Sequence, residues 1–114
     1  INQVFMNILA NAIDAMDEGA SPSGPPEILI ETALADDCVV VTITDNAGGM
    51  PASVRERIFE SQFTTKPAGK GTGLGLSIAH QIVTDNHKGR IHCESTVDVG
   101  TTFRIALPIE QSIQ

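Results

Sequence analysis

Three glycines at alternate positions stand directly before an apolar run in the segment GKGTGLGLSIA, residues 69 to 79. Gly71, Gly73 and Gly75 leave the backbone unhindered, so its N–H groups can approach a ligand closely at the positive end of a helix, where phosphate binds. The spacing fits neither the Walker phosphate loop nor the dinucleotide-binding fingerprint. A flexible turn before an ordinary helix is the alternative interpretation. The segment alone therefore indicates a phosphate site without identifying it.

Two asparagines and an aspartate lie along one face of the first predicted helix. Asn7, Asn11 and Asp14 are spaced at i, i+4 and i+7, which places them on one stripe. Asparagine is a poor residue for a helix interior, and an exposed stripe more ordinarily carries Lys or Glu. Amide oxygens one turn apart suit a hard cation such as Mg²⁺, which also takes phosphate ligands. A solvated helix face is the alternative.

A carboxylate followed by the letters NAGG marks the end of the second predicted strand. Asp45 could accept a hydrogen bond from the exocyclic amine of a base, and the glycines would let a flat ring approach the backbone. An aspartate in a glycine turn is also common without any ligand. Lys66 and Lys70 border a segment without periodicity and would reach a polyphosphate, although each alone is an ordinary surface lysine.

The elements that position these residues follow from hydrophobic periodicity. Helical spacing of apolar residues predicts one long helix at the start of the chain and another after the glycines, and β-branched runs predict two strand pairs. The predicted order is a helix over 1–17, strands over 27–34 and 38–45, a short helix over 52–59, a mobile loop over 60–71, a helix over 74–89, and strands over 89–96 and 101–108. This order predicts an α+β two-layer sandwich, with helices on one face of a mostly antiparallel mixed sheet.

Length and composition predict one compact domain. The chain has 114 residues, 41% of them hydrophobic, and a formal net charge of -7. Such acidity argues against nucleic acid or an anionic membrane as a partner. No apolar stretch is long enough to cross a bilayer, so we expect a soluble, cytoplasmic domain. The first helical pattern begins without a cap, which predicts that residues 1–114 are one domain of a longer protein.

The two cysteines carry no metal-site spacing. Cys38 and Cys93 lie far apart in the sequence, and neither belongs to a CxxC pair. We expect reduced and mostly buried thiols, with a disulfide between them as the less favoured alternative.

Four motifs occur together in a fixed order along almost the whole chain. They are NILANAIDAM, DNAGGM, RIFESQFTTK and GTGLGLSIA, closed by GTTFRIALP. Together they resemble the N, G1, F and G2 boxes of the GHKL family of ATP-binding proteins. The likeness is greatest to the catalytic ATP-binding domain of sensor histidine kinases, in particular the nitrogen-regulation type. The resemblance implies the Bergerat-type ATP-binding fold, with ATP and Mg²⁺ as ligands.

The resemblance assigns roles at the base and metal ends of the site. Asn11 would ligate the Mg²⁺ that bridges the phosphates, and Asn7 would contact phosphate or metal beside it. Asp45 would bind the adenine amino group, and Thr101 would support an ordered water there. Gly49 would let the adenine lie against the loop.

The resemblance also places the phosphates and a lid over them. Residues 60–71 would form the ATP lid, anchored by Phe59 and Phe63, and Lys66 or Lys70 would reach the β- or γ-phosphate. The phosphate turn at the N-terminus of the second long helix would consist of Gly71, Thr72, Gly73, Leu74 and Gly75.

The implied reaction is transfer of the γ-phosphoryl group of ATP to a histidine, the activity of a histidine protein kinase in two-component signalling. Asn7, Lys66 and Lys70 would align the phosphates and neutralise their charge. The acceptor histidine would lie on a separate dimerisation domain of the same protein, with a response regulator downstream. None of the chain's own three histidines is expected to be the acceptor, so the chain alone would bind ATP without autophosphorylation. We expect no direct membrane contact by this domain, and the sequence leaves open whether the full-length protein is membrane-anchored.

Two departures from the family pattern affect this interpretation. Ala47 replaces the first glycine of Asp-x-Gly-x-Gly and would be strained if that position required a positive φ. Asp14 and Ala15 stand where many such kinases carry a lysine and an aromatic residue.

Three other functions stay open at this point. GHKL relatives that hydrolyse ATP carry a glutamate one turn before the metal-binding asparagine. Asn7 stands there, and a carboxamide is a poor general base, which disfavours hydrolysis. Serine kinases that act as anti-sigma factors resemble the same boxes. A nucleotide-sensing module that has lost transfer activity is the third alternative.

Overall fold

The computed structural model describes residues 2–18, 25–60 and 75–109. In chain order these residues form α1 (Asn2–Glu18), β1 (Ile28–Ala35), β2 (Cys38–Asp45), α2 (Ala52–Arg55), α3 (Gly75–Gln81), a π-helical turn (Ile82–Asn86), β3 (Arg90–Thr96) and β4 (Gly100–Pro108). The strands make one four-stranded sheet in the order β1-β2-β4-β3, and each of its three pairings is antiparallel. The predicted α+β fold, with helices packed on a sheet, is confirmed.

The hydrophobic core lies between the helices and one face of the sheet. Successive residues of a strand point to opposite faces, and in β2 the buried residues Val41 and Ile43 alternate with half-buried ones. α1 meets this face with side chains at helical spacing, because residues three or four apart share one side of a helix. The fully or almost fully buried members of the core include Val4, Ile8, Val83, Phe103 and Ile105.

The predicted hairpin of β1 and β2 is confirmed and has a two-residue turn. Its pairing runs from Ala35 opposite Cys38 to Ile28 opposite Asp45. Asp36 and Asp37 have φ angles of 52° and 67°, which is the backbone of a type I′ turn, the type whose twist matches that of the strands. The hairpin therefore fixes which residue ends β2, and that residue is Asp45.

The short helix after β2 ends earlier than the sequence pattern predicts. Pro51 precedes it and its last residue is Arg55, whereas the predicted helix extends as far as Phe59. Beyond Glu56 the backbone makes tighter hydrogen bonds, in which the N–H of Arg57 donates to the carbonyl of Val54 and the N–H of Glu60 donates to the carbonyl of Arg57. The chain therefore leaves α2 as a series of turns.

The long helix predicted over 74–89 is regular only as far as Gln81. It continues as the π-helical turn, in which the N–H of His87 donates to the carbonyl of Ile82 at 3.2 Å. The Thr84 hydroxyl donates to the His80 carbonyl at 2.8 Å, a bond of the kind that bends helices. Within the described residues, no helix has both the length and the apolar character needed to span a membrane.

Candidate functional site

A row of polar side chains crosses three strands at one end of the core face. Asp45 of β2 lies opposite Thr101 of β4, and Thr101 lies opposite Ser95 of β3. Asp45 and Thr101 are only 6% and 7% exposed, and they are the buried polar residues of the described chain. The next row inward on the same face is apolar, with Phe103 between Ile43 and Cys93. The sheet thus places hydrogen-bonding groups where the core meets the loops.

The Asp45 carboxylate is held by backbone donors. The Ala47 N–H donates to Asp45 Oδ1 at 3.0 Å, and the backbone of Thr101 also bonds the carboxyl group. Burial raises the pKa of Asp45, and these two hydrogen bonds partly oppose the rise. A carboxylate that accepts two backbone bonds has a fixed direction and keeps further lone pairs for a ligand. Asp45 is therefore preorganised as an acceptor.

The glycine loop that follows β2 is docked onto the hairpin of β3 and β4. The Asp98 N–H donates to the Gly48 carbonyl at 2.7 Å, and the Met50 N–H donates to Ser95 Oγ at 2.8 Å. Gly49, with φ +72°, passes so close to the Thr96 carbonyl that a Cβ at this position would collide with the oxygen. The loop is therefore held in one path beside the polar row.

The replacement of glycine by Ala47 does not strain this loop. Ala47 is fully buried and does not have a positive φ, whereas Gly49 does. Alanine would weaken the site only if position 47 required a positive φ. That backbone conformation occurs at Gly49 instead. An L-residue side chain is tolerated at position 47 and excluded at position 49.

The residue after Asp45 has a structural role that the sequence did not indicate. Asn46 accepts the Glu27 N–H with Oδ1 at 2.8 Å and donates from Nδ2 to the Pro25 carbonyl at 2.9 Å. These bonds tie the segment before β1 to the end of β2. Asn46 therefore supports the position from which Asp45 projects.

The asparagines of α1 lie beside the start of α3. Asn7 Nδ2 donates to the Gly75 carbonyl at 2.9 Å, and its Oδ1 accepts from Gln3 at 3.2 Å. Asn11 is half-buried one turn later. In the described part of the chain no three His, Cys, Asp or Glu side chains cluster to hold a metal. The amide oxygens of Asn7 and Asn11 are ligands of the kind that suit a hard cation such as Mg²⁺.

Phe59 joins α3 to the core immediately before the predicted lid. Its ring lies 5.1 Å from that of His80 and 6.3 Å, edge-on, from that of Phe103, measured between centroids. These separations are typical of favourable aromatic pairs. Phe59 is therefore fixed at the point where the predicted lid would begin.

Several predicted site residues lie outside the described residues, and their roles stay predictions. They are Phe63, Lys66, Lys70, Gly71, Thr72, Gly73 and Leu74, and the predicted lid is outside the described chain from residue 61 onward. The structure brings Asp45, Thr101 and Gly49 together at one end of the sheet. Asn7 and Gly75 meet at the helices.

The first prediction concerns the two glycines of the loop. We expect Gly49→Ala to lower the free energy of unfolding by about 2 kcal/mol or more, because it adds a left-handed strain to a backbone collision. Gly48→Ala is the matched control, since a Cβ there meets nothing within 4 Å. Urea denaturation of the three proteins measures the difference. Equal stability of both variants would show that Gly49 is not constrained.

The two cysteines are free thiols with different surroundings. Cys93 is buried on the core face, whereas Cys38 is half-buried at the start of β2, so the prediction of mostly buried thiols is confirmed for Cys93 alone. β4 lies between their strands, which excludes a disulfide within this fold. Burial raises the pKa of Cys93 to about 12, and the positive charge of Arg55 opposes the rise only in part.

The second prediction follows from this difference. At pH 8, iodoacetamide should alkylate Cys38 roughly a hundredfold faster than Cys93, because the reactive thiolate form of Cys93 is scarce and the sulfur is shielded. Mass spectrometry of the tryptic peptides over time measures both rates. The control is the same reaction in about 8 M urea, which unfolds most small domains. There the two alkylation rates should converge. Equal rates in the folded chain would contradict the burial of Cys93.

Comparison with known proteins agrees with this geometry. The model of the family described as histidine kinase-, DNA gyrase B- and HSP90-like ATPases matches residues 1–111. The sensor kinase CckA of Brucella abortus is 44% identical over 93% of this chain and 12% of its own length. Sporulation kinase A of Bacillus subtilis is 40% identical over 95% of this chain and 16% of its own length. The chain thus spans less than a fifth of either relative.

Solved structures extend the likeness to three dimensions. The nucleotide-free catalytic domain of histidine kinase ThkA superposes with a TM-score of 0.73 at 34% identity, covering 93% of this chain and 64% of that one. The mycobacterial sensor histidine kinase MprB gives a TM-score of 0.72 at 29% identity, covering 93% of this chain and 68% of that one. The resemblance to the catalytic domains of sensor histidine kinases is confirmed.

Proposed function

The chain belongs to the family of histidine kinase-, DNA gyrase B- and HSP90-like ATPases, and from this premise we propose that it binds Mg²⁺-ATP as the catalytic domain of a sensor histidine kinase. The γ-phosphoryl group would pass to a histidine on a dimerisation domain of the same protein, and a response regulator would receive the signal. The relatives with which the chain aligns are named sensor and sporulation kinases, which supports this class.

The observation that carries the proposal is the buried acceptor at the end of β2. Asp45 is fixed by backbone donors, lies beside Thr101, and faces a loop in which Gly49 leaves no side chain between backbone and ligand. An exocyclic amine offers N–H groups that such acceptors bind. Asp45 would therefore recognise the amino group of adenine, and the loop would take the flat face of the ring.

Asn7 on α1 favours transfer of the γ-phosphoryl group over hydrolysis of ATP. The Asn7 amide already donates to the Gly75 carbonyl, and a carboxamide does not take a proton from water at neutral pH. Bound Mg²⁺ supplies charge neutralisation at the phosphates, and Asn11 would hold it. Asn7 would align the phosphate end of the site with α3, and Lys66 and Lys70 would complete the charge neutralisation from the lid.

Calorimetry with nucleotides tests the proposal directly. ATP and GTP are titrated into the chain with Mg²⁺ and with EDTA, and phosphate release is followed in the same samples. The proposal expects adenine-selective binding that strengthens with Mg²⁺, with negligible release of phosphate. Steady release would favour an ATPase instead. Absence of ATP binding by the folded chain would refute the proposal.

A further inference from the structure

The side chain of Ser95 connects the glycine loop, the β3–β4 hairpin and Thr101 through one hydroxyl. Ser95 Oγ accepts the Met50 N–H at 2.8 Å, donates to the Gly100 carbonyl at 3.1 Å, and lies 2.8 Å from Thr101 Oγ1. No sequence motif singles this serine out. Its position follows from the register that sets Ser95 opposite Thr101.

The hydrogen atoms of these contacts can be assigned by counting. A serine hydroxyl has one proton to donate and two lone pairs to accept with. The Gly100 carbonyl can only accept and the Met50 N–H can only donate. Ser95 therefore donates its proton to the Gly100 carbonyl and accepts the Met50 N–H with one lone pair. All three contacts are hydrogen bonds at once only if Thr101 donates to Ser95. The free side of Thr101 Oγ1 then carries lone pairs alone.

We propose that Ser95 is a positioning residue that sets base specificity by making Thr101 an acceptor. The inference rests on the proposed function, in that Asp45 and Thr101 face the base. Beside an Asp45 carboxylate, an acceptor-only Thr101 gives two neighbouring acceptors on one face of the sheet.

Two acceptors discriminate between purines at the 6-position. Adenine carries an amino group there, with two N–H donors that match the pair directly or through a water. Hypoxanthine and guanine carry a carbonyl oxygen, which finds no donor and opposes two acceptors. Sites built to bond one polar pattern reject the other because buried polar groups are left unpaired. A Thr101 hydroxyl freed from Ser95 would instead rotate and donate to the carbonyl.

The test compares ATP with ITP, which differs from ATP at the 6-position and the adjoining ring nitrogen. Dissociation constants for both are measured in Mg²⁺ for the unmodified chain and for Ser95→Ala, Ser95→Cys and Ser95→Thr. The ratio of the two dissociation constants is unaffected by any loosening of the glycine loop that weakens the binding of both nucleotides equally. Thr102→Val is the matched control, because it breaks another hydroxyl pair, that of Thr102 with Thr44 of β2 at 3.2 Å, on the opposite face of β4.

The unmodified chain should prefer ATP by about tenfold or more. Ser95→Ala and Ser95→Cys should each reduce that preference by about fivefold or more, since neither supplies a good acceptor for the Thr101 proton. Ser95→Thr, which retains a hydroxyl, and Thr102→Val should keep the preference within about twofold.

The two proposals fail in different ways. The unmodified chain and the Ser95→Ala or Ser95→Cys variants could all prefer ATP over ITP to the same degree. That result would overturn the role of Ser95 and leave the proposed function intact. An unmodified chain that binds neither nucleotide would overturn the proposed function and this inference with it. The cysteine variant keeps the test decisive if the alanine variant does not fold, because a thiol nearly conserves the volume of the side chain.

Discussion

Asp45→Asn should weaken ATP binding by about 10- to 100-fold while changing the affinity for free tripolyphosphate less than twofold. The range corresponds to one charge-assisted hydrogen bond. The carboxylate is the only ionisable side chain in the polar row of Asp45, Thr101 and Ser95, and it projects from the strand end beside the loop. Because tripolyphosphate has no base, its binding is independent of an adenine-recognising group. Competition calorimetry with both ligands measures the two losses.

The same substitution also acts on the fold, and this effect must be separated. Asp45 accepts bonds from the backbone of Ala47 and Thr101, and an asparagine replaces one carboxylate oxygen by an NH2 group that only donates and leaves the other oxygen uncharged. We therefore expect a loss of about 1 to 3 kcal/mol in the free energy of unfolding without nucleotide. Asp98→Asn is the matched control for charge, since Asp98 contacts the loop through its backbone N–H and asparagine tolerates its left-handed φ of 67°. Equal losses for ATP and tripolyphosphate would remove Asp45 from base recognition.

The strands and the first helix are predictable because one-dimensional patterns specify them. β2 alternates between buried and half-buried residues, α1 repeats its apolar residues at helical spacing, and the pair Asp36-Asp37 has the chemistry of a two-residue turn. These are local properties. Local sequence does not specify where α2 and α3 end. The tight turns after α2 and the wide π-helical turn after Gln81 depend on how the chain packs on the sheet.

The site divides in the same way. Asp45 and Thr101 follow from motifs whose order is visible in the sequence, whereas Ser95 depends on the pairing of β3 with β4. Period-two alternation predicts that Ser95 lies on the same face as Cys93, but it does not predict which residue of β4 lies opposite Ser95. Ala47 shows the converse error: a glycine pattern does not reveal which of its positions needs a positive φ, and here it is Gly49.

Asn11→Ala should remove most of the dependence of ATP affinity on Mg²⁺. With Mg²⁺ present the loss should be on the order of tenfold or more, and in EDTA it should be close to none, because only the metal-bound complex uses the amide oxygen. Asn11 is half-buried on α1, one turn after the residue that contacts α3. Titration of ATP at a series of Mg²⁺ concentrations measures the linkage. A variant with unchanged Mg²⁺ dependence would eliminate Asn11 as the metal ligand.

Asn7→Ala is the matched control, since it removes the same amide one turn earlier on the same helix. Asn7 Nδ2 donates to the Gly75 carbonyl at 2.9 Å, so its loss releases the start of α3 from α1 and should cost about 1 kcal/mol of stability. The phosphate turn precedes that helix, and we therefore expect ATP to bind more weakly to the same degree with Mg²⁺ and with EDTA. Two asparagines of identical chemistry would then differ in kind: one organises the helices around the phosphates, and the other links them to the cation.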